Sequence, residues 1–242
     1  MNWDPFRSDI ESLLQRAIVV RSDALPWGSN YTFLLTLADG MNGEGQAVYK
    51  PRRGEAPLWD FPAGTLYLRE CAAYVVGKAL GWPDIPPTVI RDGPHGPGSV
   101  QLYIDADPDH HYFAFRHRRQ TELQCIALFD ALANNADRKA GHCLEGRDGR
   151  VWCIDHGLTF HVDPKLRTVI WDFCGEPIPR ELLADLRALR SRLSQRGSVA
   201  KALGKLLSSD ELDALRRRLD WLLEKGAFPY PGPGRHIPWP PV

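Results

Sequence analysis

Two acidic residues at the ends of neighbouring elements limit what this chain can fold into more than any other feature. They fall in the run NNADRKAGHCLEGRDGRVWCIDHGLTF, residues 134–160. A helix-like segment closes here in a polar loop with Asp137, Arg138, Lys139 and His142. A Gly/Asp turn then leads into the apolar run Val151 to Ile154, which stops at Asp155-His156-Gly157. Such a layout suits phosphoryl transfer, in which one carboxylate handles the proton of a nucleophile and the other holds a metal on a phosphate chain. Positioning and charge neutralisation then do nearly all the catalysis.

The remainder reads as scaffolding for those acids. A length of 242 residues allows one large domain or two small lobes sharing an interface. Lys plus Arg and Asp plus Glu stand at 30 each, so no global field recruits nucleic acid or an anionic membrane. No apolar run approaches the ~20 residues that span a bilayer, and MNWDPFRSDIES lacks the basic start and apolar core of a signal peptide. The expectation is a cytoplasmic protein without nucleic-acid or integral membrane contact. The five cysteines (Cys71, Cys125, Cys143, Cys153, Cys174) show no CxxC spacing and sit mostly in apolar segments, which predicts reduced, packed thiols.

Ser8 with Glu11 forms a capping-box signature ahead of Ile10, Leu13, Leu14 and Ala17, so a short helix opens the chain. Ala17 to Val20 and Thr32 to Leu37 read as a hairpin around Pro26-Trp27-Gly28-Ser29-Asn30. Small residues there let backbone N–H groups lie over a phosphate, although a plain turn explains them as well. After a glycine-rich turn at 39–45, Gln46 to Pro51 is a strand in which Lys50 shares a face with Val48. A lysine on an inward strand face needs a partner or an anion.

The helix predicted from Leu66 to Leu80 offers that partner in Glu70. Its main apolar stripe is Leu68, Ala72, Val75, Val76 and Ala79, and Glu70 lies opposite, with Ala73, Tyr74 and Gly77. This second face either approaches another element or is solvated. Pro86-Pro87 precedes two strands, Thr88 to Arg91 and Ser99 to Ile104, joined by the loop 92–98. The polar segment 105–111 (DADPDHH) separates a strand-rich part, residues 1–106, from a helix-rich part, residues 107–242. His110 and His111 read as solvated linker residues.

Thr121 with Gln124 signals another cap, and Ile126, Leu128, Phe129, Leu132 and Ala133 carry a buried helix into the acidic loop. Val169 to Phe173 reads as a short strand or turn. From Pro179 the chain is helical, with a further capping box at Ser208 and Glu211. The Pro-rich tail from Phe228 to Val242 is an extended arm, docked or disordered, and a candidate contact for a protein partner.

This order of parts resembles the two-lobed protein-kinase-like α+β fold, with an antiparallel-sheet N-lobe and a mainly helical C-lobe. The nearest flavour is the atypical branch of phosphatidylinositol 3- and 4-kinases, HipA-type kinases and secretory casein kinases. Glu70-Cys71-Ala72-Ala73-Tyr74 followed by Ile85-Pro86-Pro87 is similar to the Glu helix and Pro-rich turn of the secretory kinases. Asn135-Ala136-Asp137-Arg138 resembles the Asn-Thr-Asp-Arg loop of type II phosphatidylinositol 4-kinases, and Ile154 to Phe160 their Asp-Asn-Gly-Leu-Ala-Phe. The chain also resembles an uncharacterised actinobacterial family of phosphatidylinositol-kinase-like proteins. The resemblance implies ATP with Mg²⁺ or Mn²⁺ as cofactors. It implies that Lys50 contacts the phosphates and pairs with Glu70, that Asp137 is the catalytic acid/base, and that Asp155 holds the metal. Gly28, Ser29 and Asn30 would cover the phosphates. The departure is His142, five residues after Asp137, where these families place a metal-binding Asn.

The sequence thus predicts an ATP-dependent phosphotransferase acting on a protein or small-molecule acceptor. A nucleotide-binding pseudokinase with a regulatory role is the alternative. A metal-dependent hydrolase built from Asp137, His142, Asp155, His156 and His161 is a third reading, which leaves Lys50 and Glu70 without a task.

Overall fold

The computed structural model describes residues 2–26, 30–194 and 197–242. Its first part is a five-stranded antiparallel sheet in the order β1-β2-β3-β5-β4, made of β1 (Ile18–Leu25), β2 (Thr32–Asp39), β3 (Gly43–Pro51), β4 (Thr88–Gly93) and β5 (Gly96–Leu102). Helix α1 (Ile10–Arg16) covers one face, burying Ile10, Leu13 and Leu14 against Leu35, Leu37, Ala47, Tyr49 and Val100. The alternation along β3 assigns that face to Ala47 and Tyr49, while Val48 and Lys50 stand on the half-buried opposite face. Lys50 is therefore not on the packed side of the strand. It faces the cleft between the lobes, where partners of opposite charge stand.

The hairpins are tighter than the sequence suggests. Strand β3 begins at Gly43 inside the expected turn, and the expected loop at 92–98 closes around Pro94 and His95, with Gly93 paired to Gly96. The Tyr49 hydroxyl donates to Gly96 O at 2.6 Å and fixes that turn from beneath.

Helix α2 (Leu66–Leu80) ends where the sequence predicts, on Gly81 at φ 85°, a left-handed cap that glycine adopts without a Cβ penalty. Burial decides between the two readings of its Glu70 face. Leu66, Arg69, Glu70, Ala73 and Gly77 are all buried, so the Glu70 face is packed and the solvated reading fails. Ala72, Ala73, Val76 and Leu80 join the same core as Leu128, Phe129, Leu186 and Leu215, so α2 is shared with the helical lobe.

The segment read as a linker is instead strand β6 (Ala106–His111), pairing with β7 (Cys143–Gly146), which pairs with β8 (Val151–Cys153). Helices α3 (Tyr112–Phe115), α4 (Gln120–Ala133), α5 (Arg180–Arg192), α6 (Ser198–Leu203) and α7 (Ser209–Lys225) complete the lobe. Two expected capping boxes do not form, because α1 starts after Asp9, one residue past Ser8, and α4 after Arg119, two residues before Thr121. The Ser208–Glu211 box on α7 does form. Residues 169–173 form no strand, although Thr168 bridges to Arg138. The tail is docked: Gly175 N donates to Phe228 O at 3.0 Å, Thr168 N to His236 O at 3.1 Å and Ala140 N to Pro241 O at 2.8 Å. All five cysteines are free thiols. Among the described residues no helix is long and apolar enough to cross a membrane.

Candidate active site

The site is assembled at the junction of β3, α2, the loop after α4 and the end of β8. Lys50 Nζ forms an ion pair with Glu70 Oε1 and a second with Asp155 Oδ1 at 2.9 Å. Burial works against the Lys50 charge, yet the Asp155 and Glu70 carboxylates outweigh it and hold the ammonium above its ordinary value. Glu70 is itself fixed from the far side, because His156 N donates to Glu70 Oε2 at 2.8 Å. A Cβ on Gly157 would touch Glu70 Oε1 at 3.5 Å, so the Asp-His-Gly turn lies directly against the α2 glutamate.

Asp155 has φ 58°, a left-handed conformation that Asp tolerates better than most residues. The turn sends its carboxylate into the cleft, 47% exposed, while His156 points into the core. Desolvation would raise the Asp155 carboxyl, but Lys50 and then His142 hold it well below the usual carboxylate range. His142 Nε2 lies 3.4 Å from Asp155 Oδ2. Burial, with Arg138, Lys50 and Lys139 nearby, brings the His142 imidazole down to about 4, so it is neutral; Nδ1 accepts from Lys139 N at 3.4 Å, which leaves its proton on Nε2, facing Asp155.

Asp137 sits on the loop that α4 delivers. The helix ends on Asn134 at φ 54°, and Asn135 Oδ1 accepts from Asp137 N at 3.0 Å, which sets the loop's exit. Burial pushes the Asp137 carboxyl up to about 6, opposed by Lys139 and reinforced by Asp155. Lys139 Nζ stands 3.6 Å from Asp137 Oδ2.

Beneath these residues lies a buried frame that the sequence reading missed. Arg138 and Asp130 form a fully buried pair, and Asn135 Nδ2 donates to the same Asp130 Oδ1 at 2.9 Å. The Arg138 guanidinium also donates to Ile154 O at 2.7 Å and meets His156 Nε2 at 2.9 Å. An arginine can only donate, so His156 accepts at Nε2 and carries its proton on Nδ1. One guanidinium thus links the loop that carries Asp137 to the strand end that carries Asp155. The only sequence signal was Asp130 interrupting an apolar helix.

Among the described residues, the remaining predicted ones are engaged elsewhere. Gly28 and Ser29 lie outside the described residues. Asn30 uses its side-chain oxygen to accept from Ala56 N at 2.7 Å. His156 is enclosed by Arg138, Cys153 and Phe129, and His161 packs on Phe61 and accepts from Asp163 N at 2.9 Å. Among the described residues no three His, Cys, Asp or Glu side chains gather to hold a metal, so the cluster required by the hydrolase reading is not assembled.

No protein-family model matches the chain. It is similar to Golgi casein kinase, solved with Mn/ADP bound, at 16% identity and a TM-score of 0.57, covering 90% of this chain and 74% of that one. It is also similar to the Helicobacter pylori proinflammatory kinase CtkA, at 10% identity and a TM-score of 0.50 over 89% and 94% of the two chains. These likenesses establish the two-lobed protein-kinase-like fold. Over 144 aligned positions, gaps included, the chain is 29% identical to phosphatidylinositol 4-kinase gamma 4 of Oryza sativa subsp. japonica, covering 50% of this chain and 26% of that protein. Protein Rv2133c of Mycobacterium tuberculosis is 40% identical over 247 aligned positions, gaps included, covering 88% of each protein. On that similarity, the chain belongs to the family of Protein Rv2133c.

Proposed function

We propose that the chain is an ATP-dependent phosphotransferase in which Lys50, held by Glu70, engages the nucleotide phosphates and Asp155 holds a divalent metal, while Asp137 takes the acceptor's proton. The observation that carries this reading is the Glu70–Lys50–Asp155 bridge, which joins the sheet lobe to the strand end beside the Asp137 loop. A cation held between two carboxylates in an open cleft is poised to exchange part of its pairing for phosphate oxygens.

The donors present fit a metal. Asp155 offers a half-exposed carboxylate, and the neutral His142 imidazole would hold an ion through Nε2 once its proton moved to Nδ1, with phosphate oxygens and water supplying the other ligands, as Mg²⁺ and Mn²⁺ sites commonly have. Bound there, a divalent ion would neutralise charge on the transferred phosphoryl group. An imidazole in place of an amide oxygen favours Mn²⁺ over Mg²⁺. Asp137, with a carboxyl near 6, is ionised at neutral pH yet basic enough to accept a hydroxyl proton. Lys139 stands beside it and stabilises the ionised form. The acceptor is a protein or a small molecule. The partial similarity to a phosphatidylinositol 4-kinase adds an inositol headgroup to those worth testing.

Incubation with γ-labelled ATP and Mn²⁺ or Mg²⁺ tests the proposal. Label on the chain or an added acceptor, with ADP release that Asp137→Asn removes while ATP still binds, is the expected result. ATP binding without ADP release under any of these conditions would leave a nucleotide-binding module and end the transferase reading.

A further inference from the structure

A cavity of about 950 Å³ opens between α7, the segment after the Asp-His-Gly turn and the docked tail. That volume suits a small organic ligand. Lys165, Arg167, Arg217, Arg218 and Arg235 line it, and no Asp or Glu does. Lys165 has a carboxylate partner, Asp60 Oδ2 at 2.9 Å. Among the described residues the four arginines have none within ion-pairing distance.

Arg218 is the most telling of these. Its Nε donates to Leu132 O at 2.8 Å and its Nη1 to His161 O at 3.1 Å, while the buried Nη2 has no partner. Burial and the adjacent Arg217 bring this guanidinium down to about 10, the mark of a cation placed where the protein supplies no countercharge. A charge in that position is costly unless something else pairs with it. The other walls are flat and apolar: Trp171, Trp221 and Tyr230 line the same space.

The cavity is also joined to the Asp137 loop. Arg167 N donates to Asn135 O at 2.8 Å, and Arg138 N to Arg167 O at 3.0 Å, so one strip of chain serves as cavity wall and as partner of the loop. Asn134, another lining residue, precedes Asp137 by three positions, a separation of at most about 11 Å. Lys165 and Arg167 come from the segment after Asp155, whereas Arg217, Arg218 and Arg235 arrive from the far end of the chain.

We propose that this cavity binds a small organic anion, a phosphate or carboxylate on a flat apolar body, and that the acceptor of the transfer proposed above belongs to that class and carries a hydroxyl, whose proton goes to Asp137 as its oxygen bonds the γ-phosphorus and the bond to ADP breaks. The second clause rests on the phosphotransferase reading, whereas the binding site does not. Phenyl phosphate titrated into the full chain without nucleotide, followed by tryptophan fluorescence, tests it. Saturable binding is expected, weakened at least about tenfold in Arg218→Gln and in Arg167→Gln, as loss of a charge-assisted hydrogen bond implies. Because Arg218 also holds two backbone carbonyls, Arg167→Gln and Arg217→Gln carry the test if that variant does not fold. Saturating ADP with Mg²⁺ should leave the binding in place. Absence of saturable binding, equal binding of benzyl alcohol, indifference to the arginine substitutions or displacement by ADP would each overturn the proposal. So would attachment to phosphatidylcholine vesicles containing phosphatidylinositol without binding of phenyl phosphate, which would make this face a membrane contact. If phenyl phosphate binds as expected and ATP is neither bound nor consumed, the transferase reading fails and the anion site stands.

Discussion

Asp137 and Asp155 are both acids beside one cleft, yet their surroundings drive them apart. Lys50 and His142 keep Asp155 ionised far into acid, whereas burial lifts Asp137 to about 6. Only the ionised Asp137 accepts a proton, so the rate of ADP release should fall as pH drops through about 6 and stay level above it. Initial rates at saturating ATP between about pH 4.5 and 8 check this, and an acid limb near pH 4 would mean that Asp137 is not the base. His142 does not confuse the profile, because its imidazole stays neutral down to about 4. The Arg138–Asp130 pair supplies a second prediction. Arg138→Met leaves Asp130 buried without its cation and should cost about 3–5 kcal/mol in urea unfolding. The paired substitution of Asp130→Leu with Arg138→Met should restore much of that loss, since neither charge then remains. The two cleft acids were legible because a polar loop and a strand end punctuate the sequence. Asp130 was not, because nothing local says which distant cation will meet a lone acid in an apolar helix.

Among the elements, the long helices were legible from their apolar pattern, whereas β6, with almost no buried side chain, read as a linker. Helices α5 and α7 carry a one-sided leucine stripe with Leu186, Leu189, Leu215 and Leu219 buried, so period and packing agree. Helix α2 has neighbours on both faces, so its stripe pointed to only one of them and the sequence left the Glu70 face either packed or solvated. Capping followed the same logic. Glu211 reaches back to Ser208 N at 2.8 Å as the motif predicts, but Glu11 is drawn away to Tyr74, at 2.7 Å, and to Lys78. The coupling between β3 and α2 is the prediction that belongs to this scale. Lys50→Ala should weaken ATP binding more than Glu70→Ala, and the double substitution should cost less than their sum, because Glu70 acts by positioning the lysine. A double-mutant cycle on ATP affinity decides it, and strict additivity would separate the two residues.

The whole molecule is arranged to keep that pairing assembled. Arg69 on α2 donates to Thr159 O at 2.6 Å and pairs with Glu211 on α7, and Arg192 donates to Ala79 O at 2.7 Å. Trp82, just beyond α2, donates to Asp185 at 2.8 Å. The Glu70 helix is therefore fastened to the helical lobe by its own buried side chains, and the cleft needs no large rearrangement to place Lys50 between Glu70 and Asp155. A preassembled site of this kind should show its ligand in the stability of the entire chain. The direct measurement is the melting temperature with ATP and Mn²⁺ or Mg²⁺, for the native chain and for Asp155→Asn. At a hundredfold excess over Kd the native chain should gain roughly 2.7 kcal/mol, a rise of roughly 5–10 °C for a protein of this size, and Asp155→Asn should lose the metal-dependent part. An unchanged melting temperature with every nucleotide and metal, or an equal rise in both proteins, would contradict the assignment of this cleft to a metal-bound nucleotide.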